Sequence, residues 1–204
     1  MGTPSRLADL LREGHFVVTA ELSSSNSPDP EATWRRAEVL RGSVDAINCT
    51  DNTGAHVHMS SLAAAHLLVE KGFEPVMQLT VRDRNRLALQ ADLLGAAALG
   101  VRNLVLMSGD DVTAGDHPEA RRIYDIDSLQ LLEVAATMRD RGTYLSGRKL
   151  EQAPPFSLAP SRIHSHRHWS SAHCACKRRC GPAPTSFKPN WYSTCRSSPA
   201  SWAW

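Results

Sequence analysis

The sequence predicts an α/β fold in which parallel β-strands alternate with α-helices. Three observations predict it: short runs of β-branched and aromatic residues recur, a stretch with apolar residues at helical spacing follows each run, and each pair occupies roughly 30 to 45 residues. Units of this length are typical of parallel strands joined by right-handed crossovers. The 204 residues are enough for one domain with a sizeable core.

The first elements are a helix and a strand. Apolar residues at helical spacing behind a serine cap predict a helix over Ser5–Glu13. The run FVVTAEL, Phe16–Leu22, is rich in β-branched and aromatic residues and predicts the first strand. An amphipathic stretch after a proline predicts a helix over Glu31–Leu40. The run VDAINCT, Val44–Thr50, predicts the second strand.

The alternation then continues through two more units. Met59–Glu70 has the spacing of a helix and is followed by a closing Lys-Gly pair. Pro75–Thr80 predicts the third strand, whose first residue is a proline because the missing N–H is tolerated there. The remaining elements are an Ala/Leu-rich helix, a strand and a capped helix: Asn85–Leu99, Asn103–Met107 and Ile126–Asp140, the last with Asp125 or Asp127 as its cap.

Two architectures fit four such units, an open doubly wound sheet and a TIM barrel interrupted near its middle. No GxGxxG or GxxxxGK[ST] motif follows any strand, so the nucleotide fingerprints of open sheets are missing. Polar residues instead gather at the C-terminal ends of successive strands, at Glu21, Thr50-Asp51-Asn52, Gln78 and Gly109-Asp110. Because TIM-barrel active sites are built from the C-terminal ends of strands, we predict a partial TIM (β/α)8 barrel of about four βα units, followed by an irregular tail.

Charge and cysteine content divide the chain into two parts. Met1–Glu151 holds 16 basic and 21 acidic residues, a net charge of −5, whereas Gln152–Trp204 holds 7 basic residues and no acidic ones, a net charge of +7. Four of the five cysteines and four of the five tryptophans follow residue 157. We therefore expect a domain over residues 1–156 and a basic tail over residues 157–204.

The compartment is inferred from what the sequence lacks. No apolar run reaches the roughly 18 residues of a membrane span, and the N-terminus lacks the basic-then-apolar order of a signal peptide. We expect a cytoplasmic protein with no membrane partner. A reducing cytoplasm argues against a disulfide framework built from the five cysteines.

Two acidic residues are candidates for chemistry. Glu21 is either an ordinary solvated strand-end acid or a general acid whose pKa is raised by a partly apolar site. Asp110 either caps a turn or places a negative charge or hydrogen-bond acceptor beside a bound heterocycle, with Gly109 permitting close approach.

Histidines and arginines offer weaker signals. His56 and His58 are two apart in a loop with no third ligand nearby, so we expect no metal site. Arg82, Arg84 and Arg86 follow the third strand, where arginines are either solvated and paired with acids or contact a phosphate.

Several segments together resemble the methylenetetrahydrofolate reductase family over about residues 16–156. They are VTAEL, AINCTDN, HMSSLAAA, the run from Glu74 to Asp110, GDHPEA, YDIDSLQLL and LSGRKLEQAPPF. The resemblance implies a TIM barrel with FAD at the strand C-termini that reduces a folate substrate, 5,10-methylenetetrahydrofolate, to 5-methyltetrahydrofolate with NAD(P)H, within one-carbon and methionine metabolism. It also implies a homo-oligomer for the intact protein, no nucleic acid and no metal.

The resemblance further implies roles for individual residues. Glu21 matches the acid that protonates the folate ring system as its methylene bridge opens. Asp110 matches an aspartate near flavin and folate, and it follows a matching glycine. The other implied flavin-binding positions are Thr50, Gln78, Ser108, Gly109 and Tyr124, although many members carry histidine in place of Gln78 and arginine in place of Ser108.

The tail departs from this family pattern after Phe156. One interpretation is a disordered basic tail. A second is a metal- or nucleic-acid-binding protein that uses His173, Cys174, Cys176 and Cys180. A third is a shifted reading frame. Read one base out of frame, the codons of Thr185–Arg196 permit FIQTQLVFDVP, and those of Leu158–Trp169 permit NPFAPPL. Both strings are similar to later strands of the family. A half barrel of this kind would leave the fourth strand without a neighbour, be impaired in activity, and be poorly stable or aggregate.

The reading-frame hypothesis predicts one insertion or deletion near codon 157, in the gene or in its sequencing. Resequencing the DNA across this codon is expected to restore a frame that runs through both strings without interruption. The same bases on resequencing, with stop codons in the shifted frame between the two strings, would contradict it.

Overall fold

The computed structural model describes residues 5–159 and 191–193, and it confirms the predicted alternation of strands and helices. None of its helices is long and apolar enough to cross a membrane. The helices are α1 (Arg6–Arg12), α2 (Pro30–Glu38), α3 (Ser61–Glu70), α4 (Arg86–Ala98) and α5 (Ser128–Arg141). The strands are β1 (Val18–Leu22), β2 (Ala46–Cys49), β3 (Pro75–Thr80), β4 (Asn103–Met107), β5 (Ser157–Ala159) and β6 (Trp191–Ser193).

The strands form one sheet in the order β5-β4-β3-β2-β1-β6. β1 to β5 are parallel and follow one another in chain order, whereas β6 pairs with β1 in the antiparallel direction. A doubly wound sheet would contain a reversal of strand order, and β1 to β5 contain none. Among the described residues the sheet has two edges, so the α/β class is confirmed and barrel closure is not seen there.

The expectation that β4 lacks a neighbour is wrong. β5 pairs with β4 in register Leu104 to Leu158, and the Ser157 N–H donates to the carbonyl of Arg102 over 2.7 Å. Phe156 and Leu158 are buried and join the main core, which explains why the chain continues along the sheet. The irregular tail therefore does not begin at residue 157.

Side-chain caps fix the starts of the helices. The Ser5 hydroxyl accepts from the N–H of Ala8, and Asn85 accepts from two N–H groups at the start of α4. Of the two predicted caps for α5, Asp127 is the one used, in a reciprocal capping box with Gln130. These local bonds place the helices close to where the sequence predicts them.

The two faces of the sheet are covered differently. On one face, apolar residues of β1 to β4 pack with α2 to α5 in the main core; they are Leu22, Ile47, Cys49, Met77, Leu79, Leu104 and Leu106. On the opposite face, Leu7 of α1 packs on Ala46 and Val76, near the N-terminal ends of the strands. α1 therefore covers only the lower part of that face, and Glu21 and Gln78, nearer the C-terminal ends, stay half-buried.

A buried ion pair joins the ends of β2 and β3. The Asp51 side chain is 0% exposed and receives two bonds from Arg84, Nη1 to Oδ2 over 2.7 Å and Nη2 to Oδ1 over 3.0 Å. The N–H and hydroxyl of Thr80 also donate to Asp51 Oδ2, each over 2.9 Å. Because the carboxylate has a neutral partner at the end of β3 and a charged partner in the loop after it, it holds the two strand ends together.

Asp51→Asn is expected to lower the free energy of unfolding by about 3 to 5 kcal/mol, because it leaves the half-buried Arg84 with a weakened partner. Asp140→Asn is the matched control: its side chain is 58% exposed in a pair with Arg139, so we expect a loss below about 1 kcal/mol. Urea denaturation measures both. Equal losses in the two variants would show that the Asp51 pair does not hold the strand ends.

Candidate active site

A cavity of about 200 Å³ lies at the C-terminal ends of β2, β3 and β4. Most of the residues that line it are of polar types, and they include four of those predicted for the site, Gln78, Ser108, Gly109 and Asp110. Asp51, Thr53, Thr80 and Met107 complete the lining. The sequence placed polar residues at these strand ends, and the fold brings those of three neighbouring strands together.

Gly109 has a backbone conformation that favours glycine, with φ of +91°. A Cβ atom added there would lie 3.1 Å from the Cβ of Arg82 and 3.2 Å from the Cβ of Thr80. The glycine therefore lets the loop after β4 pack against the end of β3. This packing accounts for the glycine without a ligand, whereas the predicted close approach of a heterocycle stays a prediction.

Asp110 is exposed and is bonded through both its side chain and its backbone. Its Oδ2 accepts from the Gly54 N–H over 2.7 Å, and its carbonyl oxygen accepts from Arg82 Nη1 over 3.0 Å. Gly54 belongs to a short 3-10 turn in the loop after β2. Asp110 thus connects the loops that follow β2 and β4, on either side of β3.

A second carboxylate ties the same two loops farther out. Asp116 Oδ2 accepts from the Val57 N–H, and Oδ1 lies 2.7 Å from His56 Nδ1. These hydrogen bonds lower the pKa of Asp116, the backbone bond from Val57 more than the bond from His56. Within the described residues, no group of three or more His, Cys, Asp or Glu side chains is arranged to hold a metal ion.

Glu21 lies next to this cavity, on the same face of the sheet as Gln78. Burial raises the pKa of the Glu21 carboxyl, the Gln78 side chain opposes the rise through a hydrogen bond, and the negative charge of Asp110 adds to it. A carboxylic acid in this environment keeps its proton to a higher pH than a solvated one. Glu21 is therefore not an ordinary solvated acid, and its role as a general acid stays a prediction.

The three arginines after β3 are all paired with carboxylates. Arg82 binds Asp83, and Arg86 binds Asp125, whose pKa the arginine lowers to about 2. Arg84 binds Asp92 over 2.9 Å in addition to the ion pair with Asp51. The structure therefore favours the paired interpretation of these arginines over contact with a phosphate.

Two predicted site residues lie away from the cavity lining. The Thr50 hydroxyl is buried and accepts from the Ser24 N–H over 3.2 Å, which fastens the loop after β1. Tyr124 is 44% exposed in the loop before α5 and has a positive φ of 41°. The implied contact of either residue with flavin stays a prediction.

The sequence missed three lining residues, Thr53, Thr80 and Met107. Thr80 and Met107 are the last residues of their strands, and Thr53 begins the turn after β2. Counting alternate residues along β3 from Gln78 would have placed Thr80 on the same face of the sheet. Cys174 and the other tail residues considered for metal or nucleic acid lie outside the described residues.

Comparison with known proteins identifies one family. The family model described as methylenetetrahydrofolate reductase matches residues 6–146. A search of curated proteins found no match to this chain. The matched range includes β1 to β4, all five helices and every residue that lines the cavity.

The raised pKa of Glu21 has a consequence for stability. The folded chain binds this proton more tightly than the unfolded chain, so Glu21 lowers the free energy of unfolding as pH rises from its ordinary 4.5 through the raised value. Glu21→Gln is expected to remove this loss and to be relatively more stable at pH 8 than at pH 4. Urea denaturation at both pH values measures the difference from wild type.

Glu133→Gln removes a negative charge on the exposed side of α5 and serves as the control. The prediction is wrong if Glu21→Gln and Glu133→Gln change the free energy of unfolding equally at both pH values.

Proposed function

Because the chain belongs to the methylenetetrahydrofolate reductase family, we propose that it reduces 5,10-methylenetetrahydrofolate to 5-methyltetrahydrofolate, with FAD as cofactor and NAD(P)H as hydride donor. The observation that carries the proposal is the half-buried acid Glu21 beside a cavity at the C-terminal ends of parallel strands. We further propose that β1 to β5 correspond to the first strands of a TIM barrel, since they follow one another without a reversal. The proposal includes a cytoplasmic location.

The cavity lining suits the ring system of a flavin. The Gln78 amide and the Ser108 hydroxyl offer hydrogen-bond donors and acceptors, and Met107 offers an apolar surface. A bound flavin would supply the ability to accept and pass on a hydride. Gln78, Ser108 and Asp110 are the residues proposed to hold its ring.

Glu21 is proposed to give its proton to the folate nitrogen as the methylene bridge opens. An acid suited to this task is protonated before the reaction, and both burial and the charge of Asp110 favour the protonated form of Glu21. Gln78 is a hydrogen-bond partner of Glu21 and also lines the cavity, so it is proposed to orient the carboxyl group toward the substrate. Asp110 is proposed to stabilise positive charge that develops on the opened folate.

The activity of this chain is proposed to be weak. Its cavity of about 200 Å³ is smaller than the roughly 300 to 1,000 Å³ typical of small-molecule sites. The arginines nearest to it, Arg82 and Arg84, are committed to carboxylates and are not available for the diphosphate of FAD. Residues 5–159 are therefore proposed to supply one part of the site.

Glu21→Gln is expected to slow folate reduction by about 100-fold to 10,000-fold, the usual contribution of a general acid. Oxidation of NAD(P)H in the presence of FAD but without folate is expected to be unchanged, because it needs no proton from Glu21. Steady-state assays with NADH and with NADPH measure both rates, and Glu133→Gln is the control.

Equal loss of both rates in Glu21→Gln would contradict the assigned role of the acid. A wild-type chain that neither binds FAD in an absorbance titration nor forms 5-methyltetrahydrofolate would contradict the proposed function as a whole.

A further inference from the structure

We propose that Arg82 is a positioning residue that fixes the Asp110 carboxylate at the site. It does so by holding the loops that follow β2 and β4 in one arrangement. The importance of this arrangement for folate reduction rests on the proposed function, whereas the arrangement itself can be tested without folate or flavin.

The Arg82 side chain is buried, with 2% of its surface exposed, and all its described contacts are at strand ends. Its Nε and Nη2 donate to the two carboxylate oxygens of Asp83, each over 2.7 Å. Its Nη1 donates to the carbonyl of Asp110 over 3.0 Å, and Nη2 also approaches the carbonyl of Asn52 at 3.5 Å. One guanidinium therefore contacts the ends of β2, β3 and β4.

The ion pair with Asp83 makes this burial tolerable. A buried guanidinium is costly without a partner, and the two parallel bonds to Asp83 compensate its charge and fix the plane of the fork. The same pair lowers the pKa of Asp83 and keeps it ionised; the hydrogen bonds from Arg82 are the largest cause. With the plane fixed, the remaining N–H groups point to the two carbonyls.

Arg82 holds both ends of the bond between Asp110 and Gly54. The acceptor is Asp110 itself, whose carbonyl Arg82 binds, and the donor Gly54 lies two residues after Asn52, the other carbonyl partner. Asn52 starts the turn with a positive φ of 49°, a left-handed conformation that asparagine adopts more readily than most residues other than glycine. The bond from the guanidinium therefore stabilises the turn that presents the Gly54 N–H to Asp110.

Arg82 does not line the cavity, so it acts through Asp110 and does not contact the substrate. The position of the Asp110 carboxylate also affects Glu21, because the charge of Asp110 is one of the three influences on the pKa of Glu21. If the Asp110 carboxylate turns away, this influence weakens and Glu21 loses its proton at a lower pH. An arginine with a merely structural role would leave the titration of Glu21 unchanged.

The test compares Arg82→Lys with wild type in the full chain. Lysine keeps the positive charge but has no planar fork, so it cannot bind Asp83 and the two carbonyls together. Arg139→Lys is the matched control: Arg139 also binds the next residue, Asp140, through Nε and Nη2, but it lies on α5 away from the site. Asp110→Asn gives the limit in which the charge is absent.

Heteronuclear NMR without folate or flavin supplies the first measurement. The midpoint of the Glu21 carboxyl titration is expected to fall in Arg82→Lys toward its value in Asp110→Asn, and to stay at the wild-type value in Arg139→Lys. Hydrogen exchange of the Gly54 amide is expected to become about fivefold faster in Arg82→Lys, the factor that matches the net contribution of one hydrogen bond.

An unchanged Glu21 midpoint in a folded Arg82→Lys chain would overturn the proposal, as would an equal shift in Arg139→Lys. If Arg82→Lys does not fold, Asp83→Asn keeps the arginine, releases its fixed plane and is judged by the same two measurements. Because neither measurement uses folate, a chain without reductase activity leaves this result intact, and the two proposals fail separately.

Discussion

The structure depends on a small group of buried charges at the C-terminal ends of β2 and β3. The Asp51 carboxylate accepts hydrogen bonds from Arg84 and Thr80, and the nearby Arg82 is buried in an ion pair with Asp83. Charged groups are costly to remove from water, so each must be compensated within the same few residues. This requirement determines where the loops after β2, β3 and β4 run, and those loops form the cavity. The same contacts that stabilise the strand ends therefore also give the site its shape.

The incomplete cover of one sheet face accounts for the position of the site. The helices α2 to α5 bury the other face completely, whereas α1 reaches only the N-terminal part of the strands, where Leu7 packs on Val76. The C-terminal part keeps polar side chains, among them Glu21 and Asn48, which are paired in register on β1 and β2. The site lies where α1 does not reach. Its electrostatics follow from that position, because Glu21 is buried enough for its pKa to rise and yet remains close to the cavity.

The sequence predicted β1 to β4 and all five helices because their signals are local: period-two or helical spacing, capping residues and the proline that starts β3. It placed the start of β1 too early, since Phe16 is 61% exposed and pairs with no other strand among the residues that the structure describes. It missed β5 because that strand depends on contact with β4 and follows the point at which the family pattern stops. It could not predict that Arg82 is buried, since arginine is usually exposed and only the neighbouring carboxylate and carbonyls explain its position. The sequence placed Gln78 and Asp110 at the ends of two strands, and both line one cavity because parallel strands end at the same edge of a sheet.

The central claim is that the cavity beside Glu21 binds the flavin. Heteronuclear NMR of the full chain during addition of FAD tests it most directly, since it reports where the molecule contacts the protein. We expect shifts in the side-chain amide signal of Gln78 and in the backbone amide signals of Gly54 and Gly109. Shifts confined to the second pocket, at the N-terminal ends of the strands around Arg6, Asp45 and Glu74, would contradict flavin binding beside Glu21.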